Sequence, residues 1–586
     1  MEDKFIFYLI LAVILLNLIL PGEIYKTNLI IATLIIIILT VIKGVRIISE
    51  KRECLFLPHP FILLLTFLFI ALSSKESVYF AKTRDYLFLS LTYFLIFFLI
   101  TNLKSNKRQK EIFLFAILIA TGIVVTYALY QYTVSLPLIP EILEKMKLPP
   151  EVKEEILKRL SQKRVFATFA LPTTLSGFLA IVSPFSLLYF AISLRDRKHL
   201  LLSSSLLAGL ILVMVLAGSF GGPFVLVGGT TLALLFLVKK GKNILIAIGI
   251  ALLLTLLLIP ISKKRGAPIW KISTPENPIA LRLDNWAIGG RIIADHPIVG
   301  VGLGNYGTVY PQYKRKEWGE TQFAHNTLIQ WGAEMGPIGG LLPTLFIVLL
   351  FLRAIIRLRK RKRKNLTSFE TGFPIALATS CFILFLHNLI DINYYFPSLG
   401  LLGALIFSLF IGESGLPSKK NIPLPRLSPR KKGIIITALL ASAFLLIILF
   451  FIPFLGEIVA SEAKRSFENG EYEKALSQIR FASRLDPENS NHPLLEAEII
   501  LAEGGKKPSM SDIEQAISLY KKGIELNYFT PYLHYQLSKL YYIRGELINA
   551  YYQAEEARRL YPTKKVYREW RDEVKKRLEE EIKKQP

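Results

Sequence analysis

The chain has 586 residues, 52% of them hydrophobic and 20% charged, with a mean hydropathy of +0.43. Apolar runs near 20 residues recur along it, and a run of that length crosses a hydrocarbon core of about 30 Å as a helix, which excludes a soluble enzyme and a disordered polymer. Lysine and arginine number 71 against 45 acidic residues, a net charge of +26. On a multi-spanning chain that excess belongs to cytoplasmic loops. No zinc finger, recognition helix or stacking platform accompanies it, so no nucleic-acid partner is expected.

In chain order, thirteen spans are expected at about 4–20, 28–43, 61–74, 86–103, 111–134, 166–194, 200–217, 223–238, 243–262, 325–352, 371–389, 395–412 and 433–453. The first lacks a small-residue cleavage site and is followed at once by a second span, so it reads as a retained helix. With the N-terminus in the cytoplasm, the six short inner loops carry 28 Lys and Arg and the four short outer loops carry 4. That bias sets the orientation. Two outer loops are long, about 135–165 and 263–324, and long ordered loops usually carry function. Cys54 and Cys381 fall in a basic loop and an apolar run, so neither a disulfide nor a metal cluster is expected of them.

The chemistry concentrates between Arg282 and Leu341. Arg282 and Trp286 stand four apart on one helical face, and Arg291 follows further along the same stretch. A guanidinium fork outside the membrane suits a pyrophosphate; an arginine snorkelling to the interface is the alternative. The stretch from His296-Pro297 through Gly300, Gly302 and Gly304 alternates glycines that let a backbone turn tightly or approach a ligand. It follows no βαβ pattern, which excludes a dinucleotide site. His325-Asn326 comes where the chain re-enters the membrane. A neutral imidazole there can take a proton from a hydroxyl, or it can simply cap a helix. Glu334 follows, inside a span, where a carboxylate needs a partner and is a functional candidate by default. Gly336, Gly339 and Gly340 beside it allow close helix packing.

After the last span, residues 456–586 are charged and helical. Gly470, Ala475, Ala482 and Pro487 recur in the same order and at one constant offset as Gly545, Ala550, Ala557 and Pro562, and Ala516 and Gly523 precede Ala550 and Ala557 by 34. The spacing, with small residues where paired helices touch, is similar to tetratricopeptide repeats, whose stacks present a concave protein-binding face. The loop charges place this segment away from the cytoplasm.

As an ordered set, Arg282-x-x-x-Trp286, Pro297-x-x-Gly300-x-Gly302-x-Gly304 and His325-Asn326 … Glu334-x-Gly336-x-x-Gly339 resemble the O-antigen ligase and polymerase family. Arg164 to Ala180 resembles its arginine-led segment before the central helices, and His387 to Pro397 its His-Asp segment, so the resemblance spans roughly 60–412. It implies an all-α, glycosyltransferase-C-like membrane domain over 1–453, in the bacterial inner membrane. The active site and the repeat domain of 456–586 would then be periplasmic. The donor would be a glycan on undecaprenyl pyrophosphate and the acceptor a sugar hydroxyl, commonly of lipid A-core, with inversion and with neither a cofactor nor an obligatory metal. His325 would be the general base. Arg282, with Arg291 or Arg164, would neutralise the pyrophosphate, and Trp286, Asn326, Glu334, Gly302 and Gly304 would complete the donor site. A polymerase, a protein O-oligosaccharyltransferase and a non-enzymatic scaffold holding an envelope protein are the alternatives. One departure stands out. Where the family carries Ser-Arg-Gly, this chain reads Ser219-Phe220-Gly221, and Phe220 binds no anion. Arg164 or the Lys263-Lys264-Arg265 cluster is left to substitute, unless the substrate anchor itself differs.

Overall fold

The computed structural model describes residues 2–20, 26–49, 54–103, 105–146, 153, 156–157, 162–194, 197–237, 277–317, 319–360, 368–416, 422–423, 427–505 and 508–583. Regular structure among them is helical, apart from a two-residue antiparallel pair, Cys54–Leu55 with Ile422–Pro423. Among the described residues, eight stretches are long and apolar enough to cross a membrane: Thr27–Ser49, Phe80–Thr101, Lys107–Lys145, Pro172–Ser193, Arg197–Ala217, Thr327–Lys360, Phe369–Asn388 and Pro429–Glu468. The chain is a multi-pass membrane protein.

Thirteen spans were expected, and three of the remaining five correspond to shorter helices. Pro60–Lys75, Gly221–Leu237 and Pro397–Glu413 coincide with expected spans and are apolar, but have 16, 17 and 17 residues. At 1.5 Å per residue they reach about 25 Å, short of the core. Glu2–Ile19 is helical, but it opens with Glu2, Asp3 and Lys4. The expected span 243–262 and the Lys263-Lys264-Arg265 cluster lie outside the described residues.

The centre of the bundle is Pro172–Ser193, in which the run from Thr174 to Ser186 is buried throughout. It packs against Leu200–Ala217, Gly221–Leu237 and Phe369–Asn388. Small residues set these spacings: a Cβ at Gly229 would fall 2.4 Å from Ile383 Cγ1, and one at Gly222 would fall 2.0 Å from Ser176 Oγ. Close backbone approach of this kind drives helix association in lipid, where no hydrophobic effect operates between helices. The outward faces carry exposed Phe61, Leu64, Leu201 and Leu202, as a surface solvated by lipid does.

Thr327–Lys360 is broken at Gly336, whose φ of 75° and ψ of 163° interrupt the helical backbone just before Pro337. A side chain at Gly336 would meet the Ile298 carbonyl oxygen at 2.2 Å. Only glycine serves both the left-handed φ and that approach.

The last apolar helix, Pro429–Glu468, runs unbroken for 40 residues, so the expected boundary near 453–456 falls inside one helix of about 60 Å. Its end packs on Tyr472–Leu485, and Asn491–Glu503, Met510–Leu526, Pro531–Ile543, Leu547–Leu560 and Lys565–Ile582 follow. Ala475, Ala516 and Ala550 are all fully buried, and Ala482, Gly523 and Ala557 are buried with them. Gly470 and Gly545 turn the chain with φ of 80° and 79°. The repeat read from the sequence is therefore a repeat of contacts.

These C-terminal helices are bolted to the membrane part. Arg84 grips Asp486 with both guanidinium nitrogens, at 2.7 and 3.0 Å, and Tyr79 donates to Asn489 Oδ1 at 3.2 Å. The Asp486 side chain is 0% exposed and that of Arg84 13%. Removing one partner of such a pair strands a buried charge, at about 3–5 kcal/mol. Asp486→Asn should therefore loosen the C-terminal helices, read as faster hydrogen exchange over 472–560 in the full chain. The joint replacement Arg84→Met with Asp486→Leu should restore most of the protection; protection unchanged in Asp486→Asn would contradict the bolt.

Candidate active site

Asn277 caps the loop helix Pro278–Asp295, accepting from the backbone N–H of Ile279 and Ala280 at 2.9 and 3.3 Å, with Pro278 in the first turn. The cap places Arg282 one turn in. Arg282 Nε donates to the Ile390 carbonyl at 2.8 Å, and Nη1 to the Pro278 carbonyl at 3.3 Å. Its Nη2 stands 3.8 Å from Asp391 Oδ2. That is an ion pair but too long for a hydrogen bond, so Nη2 keeps its hydrogens for another acceptor.

His325 precedes the cap of the next span. Asn326 Oδ1 accepts from Leu328 and Ile329 N–H at 3.0 and 3.2 Å. Its Nδ2 donates to the Leu389 carbonyl at 3.0 Å. The chain reaches that cap through a left-handed His325, φ 54°, a conformation costing about 1 kcal/mol for a residue with a side chain. Strain of this kind persists where the surroundings over-determine it. Here it turns the imidazole onto Asp391, with Nδ1 3.1 Å from Oδ1. The Thr321 hydroxyl, 3.4 Å from Nε2, already donates to the Phe323 carbonyl at 3.0 Å. With Nδ1 donating to Asp391, Nε2 therefore carries a free lone pair at a surface where the side chain is 22% exposed.

Asp391 lies in the short turn between Phe369–Asn388 and Pro397–Glu413, and its side chain is 5% exposed. Burial by itself raises its pKa. The His325 hydrogen bond and the charges of His325, His387 and Arg282 outweigh it and hold the carboxyl well below the usual carboxylate range. The Ile392 N–H adds a bond to Oδ1 at 3.0 Å.

Glu334 is 0% exposed. It accepts from Tyr395 Oη, from Gln330 Nε2 at 2.7 Å and from Tyr306 N–H at 3.3 Å. Its carbonyl takes the Gly302 N–H at 2.9 Å and the Ser73 hydroxyl at 2.7 Å. Burial, reinforced by Glu334, raises the Tyr395 pKa well above its ordinary value, so Tyr395 remains a donor. Glu334 reaches His325 only indirectly: Gln330 Oε1 accepts from Ala324 N–H at 2.6 Å, one residue before the histidine. Gly302 and Gly304 are packed beneath the site. A Cβ on them would lie 2.5 Å from Ser77 Oγ and 1.9 Å from Tyr86 Cδ2.

The remaining expected residues divide. Arg164 Nε donates to the Ala217 carbonyl at 2.9 Å, and its guanidinium lies against Gly218, in the turn that carries Phe220. Gly221 of that turn neighbours His387 and Ile390, so Arg164 belongs to the same end of the bundle as Arg282. Trp286 is half-buried, and its Nε1 is enclosed without a hydrogen-bond partner. Arg291 is elsewhere. The step from Arg282 is about two and a half helical turns, so Arg291 faces away from Arg282 and donates to the Tyr313 carbonyl at 2.8 Å. Sequence reasoning gave no role to Asp391, Gln330 or Tyr395. The signal for Asp391 was available: it is the single acid in the His387 to Pro397 segment, which joins two apolar spans.

Residues 165–344 match the family described as O-antigen ligase. The match takes in Arg282, His325 and Glu334 and ends before Asp391. No curated protein matches the chain. The type III secretion translocator chaperone SycD of Yersinia enterocolitica is similar at 23% identity, over 21% of this chain and 87% of its own, with a TM-score of 0.18. A second structure of SycD, in complex with a peptide of the translocator YopD, is similar at 24% identity over 22% and 94%, with a TM-score of 0.19.

The depressed pKa of Asp391 carries a sign. A carboxyl lowered in the folded state stabilises fully above its unfolded value, about 3.9, and that contribution is lost as pH falls through the folded pKa. Asp391→Asn should lower the melting temperature at pH 7, by the equivalent of about 2 kcal/mol for charge-assisted hydrogen bonds. The gap to wild type should hold down to about pH 5 and close only in stronger acid. Melting curves across pH that show the gap widening on acidification would contradict the assignment.

Proposed function

We propose that the chain is a glycosyltransferase of the O-antigen ligase type. It moves a glycan from undecaprenyl pyrophosphate to a sugar hydroxyl of lipid A-core or a similar acceptor, at the periplasmic face of the bacterial inner membrane. The observation that supports this most is the convergence of His325 and Arg282 on Asp391, both brought there from within the stretch matching the O-antigen ligase family.

The acceptor hydroxyl attacks the anomeric carbon opposite the pyrophosphate. The new C–O bond forms as the bond from that carbon to the phosphate oxygen breaks, which inverts the centre. His325 Nε2 takes the hydroxyl proton, while Asp391 holds the ring in the tautomer that leaves Nε2 free and faces the charge the ring acquires. The departing electron pair settles on undecaprenyl pyrophosphate, opposite Arg282 Nη2, and fixed positive charge at that point is a large catalytic contribution. Arg164 supplies the second cation. It lies against the turn where Phe220 stands in place of the family arginine, so it replaces that group in space from another part of the chain. The C-terminal helices are tetratricopeptide repeats, supported by the regular recurrence of their buried small residues.

Transfer from a lipid pyrophosphate-linked oligosaccharide by the protein in nanodiscs tests this directly. His325→Ala should lower the rate by about 10²–10⁴-fold, the usual worth of a general base, and Arg282→Ala by about 10²–10³-fold. One glycan block added to lipid A-core identifies a ligase; a ladder growing on the lipid carrier identifies a polymerase. Full activity in both variants would end the proposal.

A further inference from the structure

The face of the loop helix opposite Arg282 opens on a second site. A cavity of about 490 Å³ lies between the outer loop and the C-terminal helices, and its wall carries Arg291, Lys314, Arg315 and Arg568 with no carboxylate among its lining residues. Three of these cations have committed part of their donors: Arg291 Nη1 to the Tyr313 carbonyl at 2.8 Å, Arg568 Nη2 to Glu317 at 2.7 Å, and Lys314 Nζ to the Glu317 carbonyl and the Tyr561 hydroxyl at 3.3 and 3.4 Å. Arg315 is exposed and makes no ion pair among the described residues. Lys314 is 2% exposed. Burial lowers its pKa against the opposing pull of Glu320, a loss that an anion in the cavity would offset.

Glu317 sits at the rim with its side chain 69% exposed, and an exposed pair of that kind is worth little. A doubly charged group displaces it. Thr563 lines the same wall, with a hydroxyl that is enclosed and has no partner. The Tyr313 ring and Pro562 supply an apolar flank. The volume is that of a small-molecule site and exceeds what a bare phosphate fills.

We propose that this cavity binds a phosphorylated sugar, the phosphate held by Arg315, Arg568 and Arg291 and the sugar ring set against Tyr313 and Pro562. The site is about 14 Å along the helix from Arg282 and is completed by the C-terminal helices, so it is a separate subsite and does not depend on the transfer reaction.

Titration calorimetry of the full chain in zwitterionic nanodiscs, with glucose 6-phosphate as probe and glucose as control, tests it. Glucose 6-phosphate should bind and glucose should not. Arg315→Gln and Arg568→Gln should each weaken binding roughly tenfold, as loss of one charge-assisted hydrogen bond does. Glu317→Gln, which frees Arg568, should strengthen it, and Arg282→Gln should leave it unchanged. Equal binding of glucose, indifference to both Arg315→Gln and Arg568→Gln, or loss only in Arg282→Gln would overturn the proposal. So would loss of sugar phosphate binding in phosphatidylglycerol nanodiscs, which would assign the cations to a lipid headgroup.

Discussion

A carboxylate at Asp391, enclosed between two apolar helices, has to be matched by donors and positive charge, because an ionised group left alone there costs several kcal/mol. The turn that carries it is matched residue by residue. Asn388 Oδ1 accepts from Thr327, the Leu389 carbonyl from Asn326, the Ile390 carbonyl from Arg282, and Asp391 from His325. Four consecutive residues thus bind two segments of the chain, one at Arg282 and one at His325–Thr327. The turn acts as a template, and the histidine and arginine meet because both are fitted to it.

Glu334 is a second buried carboxylate with a different task. Asp391 sits at the surface of the site and touches the imidazole. Glu334 sits beneath, where Tyr306, Gln330 and Tyr395 satisfy it. Its own carbonyl and that of Ala333 accept from the glycine segment. That arrangement explains the glycines: the segment passes so close to the kinked helix and to Tyr86 that side chains are excluded. The break at Gly336 belongs to the same contact. Glu334 thereby holds the backbone from which His325 projects, and does so through Gln330 and Ala324.

Much of this is legible in the sequence. The stretch from Arg282 to Glu334 stands out because ionisable residues and glycines are improbable beside lipid unless they serve a purpose. The C-terminal recurrence is visible because contacts between paired helices demand small residues at fixed spacing. The Arg282–His325–Asp391 constellation is not legible, since Asp391 lies in a different turn, well beyond His325 in the chain, and no local pattern joins them. Arg291 was grouped with Arg282 by proximity in sequence, where helical periodicity sends it to the opposite face. The expected count exceeds the eight long apolar helices among the described residues because hydropathy registers apolar composition, and a helix such as Pro60–Lys75 is apolar throughout most of its length yet has only 16 residues.

The C-terminal helices bear on the site through more than the Arg84–Asp486 pair. Phe529, in the turn between Met510–Leu526 and Pro531–Ile543, packs into the small core formed by Ile288, Ile292, Tyr306, Val309 and Tyr310. That core is the inside of the outer loop itself. Tyr310 spans it, its one hydroxyl proton shared between Asn285 Oδ1 at 3.2 Å and the Gly319 carbonyl at 3.0 Å. Tyr561 and Arg568 close the outside through Glu320 and Glu317. A loop of this length, rich in glycine and proline, cannot bury enough apolar surface alone to repay the conformational entropy of ordering it. The repeat turn supplies an aromatic side chain to that core and charged partners at its rim. The loop bearing Arg282 and the repeats are therefore one packed unit, and anything bound on the repeat face is held at a fixed distance from His325.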